Sequence, residues 1–289
     1  MTQPIVAVLT ALPLEYTAVR DHLTDVEKQE HPRYGTLATV GRLSDSPWSV
    51  ALLELGEGNL TAATLTERVM SWLEPQAVFF VGVAGSLKPD IEIGDVVVAT
   101  KVYGIHGGKE IDKDFLVRPE AWRASHRLEQ AAREALREDP HAHLKPIAAG
   151  DVVLASARSA LAEHLRTHYN DAAAIEMEGA GIASAVHLAD GNALVIRGIS
   201  DRADAKKSRA DAEGSQPRAA TNAAAAVVAV LRELRPFDGR PAPSGGTADD
   251  PKEGPFRGPT RGGDHLDFRG STFNGPFVAK QVGRGDGER

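Results

Sequence analysis

At 289 residues the chain has room for one large folded domain or two small ones. Its 42% apolar and 25% charged residues are the mix of a soluble globular protein, and no apolar run reaches the length that would cross a membrane. A net charge of −7 excludes the basic footprint of a nucleic-acid binder, and the absence of cysteine excludes disulfides, thiolate metal sites and cysteine nucleophiles.

The first apolar run, Ile5 to Leu12, lacks a basic leader and ends at Pro13, so it reads as a buried strand within residues 4–12 rather than a targeting signal. With no such signal, a cytoplasmic location is the default. A helix is predicted over 14–23 and a second strand over 48–55, running into "GEGNLTAA" and a helix that starts near Asn59. The run 77–87, "AVFFVGVAGSL", is apolar throughout, the pattern of a strand buried on both faces. Another strand is predicted over 94–105, helices over 119–138 and 157–169, a late strand over 193–201 and a closing helix over 216–234. Strands alternating with helices predict an α/β fold, a three-layer αβα sandwich around a mixed, mostly parallel sheet. In such sheets ligands lie at the carboxyl ends of strands.

Composition changes at Pro236. Residues 1–236 read as the domain, and 237–263, rich in Gly, Pro and charge, as a disordered linker. Residues 264–289 form a short tail with β-prone pieces around "NGP".

The glycine motifs exclude more than they identify. "GEGNLTAA" lacks the third glycine of a dinucleotide fingerprint, and no GxxxxGK[ST] exists, so no nucleotide cofactor is expected. In "GVAGS", Gly82, Ala84 and Gly85 either let a backbone approach a ligand or simply make a tight turn. Four acids are more informative. Glu15 follows the first strand, Glu176 and Glu178 are two apart in "AIEMEGAGIASA", and Asp201 ends the late strand. Singly each reads as a cap or a solvated turn residue. Together, at strand exits, they suit a reaction that develops positive charge, such as glycosidic cleavage through an oxocarbenium-like state.

The histidines are weaker. "HAH" at 141–143 reads as a polar surface loop with no metal expected, and His106 in "YGIHGGKE" as a loop residue that could touch a substrate. Lys206, Lys207 and Arg209 read as a solvated loop that could also meet an anionic substrate group.

In order along residues 4–234, "VAVLTALPLEYTAV", "GEGNLTAA", "VGVAGSL…IGDVVVAT", "AAGDVVLAS", "IEMEGAGIA" and "VIRGISDRAD" resemble the nucleoside phosphorylase and nucleosidase superfamily, nearest its methylthioadenosine/S-adenosylhomocysteine nucleosidase branch. That resemblance implies a purine nucleoside or nucleotide as substrate, no cofactor, and a homo-oligomer. It implies Asp201, helped by Ser200, as the acid at purine N7, Glu15 as the residue orienting water, and Glu178 as the clamp on the ribose hydroxyls. Met177 would lie against the sugar, Glu176 near the base, and Val153 and Leu154 beside the base.

Val153 stands where that branch often carries an aromatic stacking on adenine, which implies a wider or different pocket. The phosphate-holding arginines of the phosphorylase branch are missing from "ALPLEYTA" and "GVAGS", which favours hydrolysis over phosphorolysis, while Arg20 and Arg197 have no assigned place.

Substrate choice stays open between methylthioadenosine or S-adenosylhomocysteine and ATP-like nucleotides. A phosphate-dependent phosphorylase and a non-catalytic nucleotide-sensing or amyloid adaptor are the alternatives. Residues 265–281 resemble bacterial amyloid signalling motifs, which join effector domains to NLR-type receptor ATPases; they imply self-assembly or a receptor partner and a triggered, immune-type effector.

Overall fold

The computed structural model of the chain describes residues 3–112, 114–204 and 214–237. Phe237, the first residue of the predicted linker, is described and packs against the core; the rest of that linker, the predicted tail, and the Lys206, Lys207 and Arg209 cluster lie outside the described residues.

The central strands form where the sequence is apolar on both faces. β1 (Ile5–Thr10) and β4 (Ser49–Glu54) run parallel, as do β1 and β5 (Val78–Ser86), and β5 and β12 (Ala193–Asp201). β6 (Val96–Gly104) pairs antiparallel with β12 and parallel with β10 (Ala142–Ala149), and β10 carries β11 (Ala174–Glu176). β11 pairs a second time, antiparallel with β5, so this half of the sheet curls closed, while β3 (Leu37–Leu43) and β2 (Leu23–Glu30) extend the other half as antiparallel strands. β9 (Glu120–Arg123) pairs on β6, and β7 (Gly108–Ile111) with β8 (Asp114–Val117) makes a separate hairpin.

Helices cover both faces, and the alternation along each strand assigns the faces. Val6 and Val8 of β1, Phe79 and Val81 of β5, and Leu194 and Ile196 of β12 pack toward α1 (Pro13–Arg20), α3 (His126–Ala135) and α6 (Ser215–Glu233). Ala7, Leu9, Val78, Phe80 and Val195 pack toward α2 (Asn59–Leu73) and α5 (Gly179–Leu188). A third cluster seats α4 (Ala160–His168) against β10 and β11 through Leu165, Ala148 and Ile175. α6 lies very close to β12: a Cβ on Gly198 would sit 1.9 Å from the Ala219 carbonyl oxygen, so Gly198 is what allows the contact.

The predicted α/β class and mixed sheet are found, and some elements differ. The predicted helix over 119–138 is shorter at its start, because 120–123 pairs with β6 and α3 begins only after Ser125. "GVAGS" is the carboxyl half of β5 rather than a turn. The "HAH" segment is not a free loop but leads into β10, whose Pro146 sits in a bulge between the pairs Lys145–Ala99 and Ile147–Val102. Proline is tolerated in a strand at such an irregularity, and it hides the strand from pattern reading.

Candidate active site

The carboxyl ends of the parallel strands β1, β5 and β12 open onto one cleft of about 170 Å³. Val83, Ala84, Gly85, Ser200 and Asp201 line it from the ends of β5 and β12, Glu15 from the first turn of α1, and Glu176, Met177 and Glu178 from the end of β11 and the turn into α5.

Glu15 is the third residue of α1, and its carboxylate turns back over the helix start. One oxygen accepts the N–H groups of Ala11 (2.8 Å) and Leu12 (2.9 Å), and the other that of Val83 on β5 (2.7 Å). This is half of a capping box, used here to bridge two strand ends. Burial pushes the Glu15 pKa up, against the Arg197 charge and the three N–H donors that favour the ionised form. Gly82 lines no part of the cleft; a Cβ there would lie 2.3 Å from Glu15 Oε1 and 2.1 Å from Arg197 Nη1, so it makes room for both.

Glu176 and Glu178 do not share one extended segment. Glu176 ends β11, and Glu178 is already the N-cap of α5. Glu176 accepts from the N–H groups of Glu178 (3.1 Å) and Gly179 (2.9 Å) and from Arg197 Nη2 (2.6 Å), so its bonds run into the protein although it lines the cleft. Glu178 accepts from the Gly58 N–H (3.0 Å) and stands 3.8 Å from Arg197 Nη2. Burial first, and the Glu176 charge second, push its pKa up to about 7; Arg197 and Gly58 oppose the shift.

Arg197 was not assigned by the sequence, yet it organises the acids. Fully buried in the middle of β12, it stacks over Phe80 with its guanidinium carbon 3.6 Å from the ring centroid. A buried charge must be paired, and an arginine inside "ALVIRGIS" was the signal that acids converge there. Arg20 is elsewhere, donating to the Leu23 carbonyl (3.4 Å).

At the carboxyl end of β12, Ser200 Oγ donates to Asp201 Oδ2 (3.0 Å), and Asp201 Oδ1 accepts the Ala203 N–H (2.7 Å). Val153 and Leu154 line the cleft from the loop after β10, Val153 more than half exposed, and Val152, Glu57 and Gln216 line it without having been singled out in the sequence. His106 does not reach the cleft; its Nε2 accepts the Asp151 N–H (2.9 Å) and so supports that loop.

A larger cavity of about 530 Å³ meets the cleft at Leu154 and is flanked by Lys88, Arg166 and Arg202. Its lining has no pair of facing carboxylates among the described residues, so the acid–base constellation belongs to the smaller cleft. No group of three or more metal-ligating side chains that could hold an ion occurs among the described residues.

Residues 5–232 match the phosphorylase superfamily. The chain belongs to that family. Within it, the 5′-methylthioadenosine/S-adenosylhomocysteine nucleosidase of Haemophilus ducreyi is 29% identical over 238 residues, which cover 79% of this chain and 98% of the relative. The solved structure of the Neisseria meningitidis enzyme of the same name, in complex with methylthio-immucillin-A, aligns with a TM-score of 0.70 at 27% identity, over 80% of this chain and 99% of that one. The Helicobacter pylori futalosine hydrolase shares the fold, with a TM-score of 0.69 at 24% identity over 80% and 99% of the two chains. The family match ends at residue 232, before the Gly/Pro-rich segment of the sequence.

Proposed function

We propose that this chain is a purine nucleosidase that hydrolyses the N-glycosidic bond of a purine nucleoside. The observation that carries the reading is that the hydrogen-bonded Ser200–Asp201 pair lines the same cleft as Glu178 and Glu15. In the proposed reaction, the Asp201 carboxyl gives its proton to purine N7 as the C1′–N9 bond breaks and its electron pair moves into the base. Glu178 holds the ribose hydroxyls and, as a carboxylate, stabilises the ribosyl cation. A water held by Glu15 attacks C1′ and passes its proton to that carboxylate. Met177 packs on the sugar, while Val153 and Leu154 flank the base without an aromatic face. Glu176 acts chiefly by holding Arg197 and the start of α5.

The cleft lining includes five carboxylates, Glu15, Glu57, Glu176, Glu178 and Asp201, and no lysine or arginine among the described residues. That balance favours an uncharged thioalkyl group on the ribose, as in methylthioadenosine, one of the two substrates for which the curated relatives are named. A second reading, hydrolysis of ATP-like nucleotides by a triggered effector, rests on the sequence of the tail and on Lys206, Lys207 and Arg209. We also propose a homo-oligomer through the α2 and α5 side, where Leu60 and Leu188 are each more than four-fifths exposed. Light scattering coupled to size exclusion tests it; a monomer at micromolar concentration removes it.

The deciding experiment is adenine release, followed by chromatography, from methylthioadenosine, S-adenosylhomocysteine and ATP, each with and without phosphate. Release from the thio-nucleosides without phosphate supports the nucleosidase reading. Release from ATP alone transfers it to the effector, and strict phosphate dependence makes the chain a phosphorylase.

A further inference from the structure

A glutamate at an N-cap has two competing uses. Its carboxylate can fold back onto the N–H groups of its own first helical turn, or it can point away. Glu178, the N-cap of α5, makes no side-chain bond to its helix. The N–H of Gly181, third residue of the helix and the donor such a cap would take, is satisfied by Asn59 Oδ1 at 2.9 Å. Asn59 is the first residue of α2, and its neighbour Gly58 donates its N–H to Glu178 Oε1. The helix starts meet so closely that a Cβ on Gly181 would lie 2.1 Å from the Asn59 carbonyl oxygen. Asn59 also reaches the other way: its Nδ2 (2.9 Å) and its backbone N–H (3.3 Å) both donate to Asp151 Oδ1, at the root of the Val152–Leu154 loop.

We propose that Asn59 is a positioning residue for Glu178: it caps α5 from a second helix, leaving the Glu178 carboxylate to the cleft, and ties that point to the loop beside the base. The inference rests on the nucleosidase reading for the importance of a free Glu178, but not for the geometry. Its consequence is electrostatic. Were the Asn59 amide absent, the Gly181 N–H and the positive end of α5 would draw the Glu178 carboxylate onto the helix, and a carboxylate that gains an N–H donor becomes more acidic. The other charged groups around Glu178 are Glu176 on β11, Arg197 on β12 and Glu15 on α1, with Glu57 and Asp201 elsewhere in the cleft lining; substitution at 59 removes none of these five, and it takes from Asp151, beyond Asn59, the Nδ2 donor.

The test uses the full chain and two variants, Asn59→Ala and Asn59→Asp. The aspartate keeps an acceptor for Gly181 but gives up the donor to Asp151. The Glu178 carboxyl is titrated by carbon-13 NMR on glutamate-labelled protein, its signal assigned with Glu178→Gln, and adenine release from methylthioadenosine is measured across pH. In Asn59→Ala the titration midpoint of Glu178 falls by about one pH unit, a roughly 10-fold weaker hold on the proton, and the acid limb of kcat/KM moves down with it. In Asn59→Asp the midpoint stays at or above that of the unsubstituted chain, while KM rises in both variants because the loop is released.

An unmoved midpoint in Asn59→Ala overturns the proposal. If that variant fails to fold, a lowered midpoint in Asn59→Asp overturns it equally. The titration needs no turnover, so the two readings fail separately: a chain that releases no base loses the nucleosidase reading, and its titration still shows whether Asn59 keeps the Glu178 carboxylate off the helix.

Discussion

Glu178 and Asp201 are given opposite duties by the proposed reaction, one as a carboxylate and the other as a proton donor. Asp201→Asn keeps an oxygen for the Ala203 N–H but removes the transferable proton. Base release is expected to fall by about 10²–10⁴-fold, with the thermal midpoint nearly unchanged; a fall under about 10-fold removes Asp201 from the role. For Glu178 the sign of the pH effect follows from its raised pKa of about 7. Between the unfolded value and about pH 7 the native state binds the extra proton, so stability falls as pH rises and stays lower above that range. Glu178→Gln is therefore expected to raise stability above pH 7 by roughly 2–3 kcal/mol and to change little near pH 4, while base release is lost. Chemical denaturation at the two pH values checks this. A gain of equal size at both would show that burial of the ionised group is not its source. In the unsubstituted chain the same ionisation should appear as kcat/KM rising through about pH 7.

At the scale of elements, a carboxylate again does the joining. Asp95, just before β6, accepts the Glu92 N–H (3.0 Å), and its two oxygens each lie 2.9 Å from an imidazole nitrogen, one of His141 and one of His143. Its backbone carbonyl accepts the Ile199 N–H (2.8 Å), two residues before Asp201. Burial would raise its pKa, but the Glu92 N–H and the two imidazoles outweigh that and hold it below the usual carboxylate value. Its stabilising contribution is thus complete above the ordinary carboxylate range and lost as pH falls through the lower native value. Asp95→Ala is expected to cost about 2 kcal/mol at neutral pH and less in acid, by denaturant titration. A cost independent of pH would assign the loss to packing instead.

This junction also marks where the sequence was legible. β1 and β5 are continuous apolar runs that packing demands on both faces, β6 and β12 are largely apolar, and Glu15, Glu176, Glu178 and Asp201 stood out as acids just after or at the ends of strands β1, β11 and β12. β2, a charged edge strand, and β10, interrupted by Pro146, carry no period that pattern reading detects. Arg197 and the Asn59–Asp151 tie needed coordinates, because each is defined by partners more than 20 residues away in sequence.

For the molecule as a whole, the question is what the chain beyond the domain contributes. Among the described residues, the three core clusters extend to Leu234, with Phe237 packed on the first of them, and the cleft lining extends to Gln216. A core complete in this sense needs nothing further for cooperative unfolding. A chain ending at Ala242, the last residue of the compact unit, is therefore expected to unfold within about 2 °C of the full chain. Its rate of base release should also equal that of the soluble full chain. The proposed triggering separates the two proteins only under assembly: seeding with a peptide of residues 260–289 should change the activity of the full chain and leave the truncated one as it was. Equal responses to the seed would remove the tail from control of the enzyme. A truncated chain that melts far lower would instead make residues beyond Ala242 part of the folded domain.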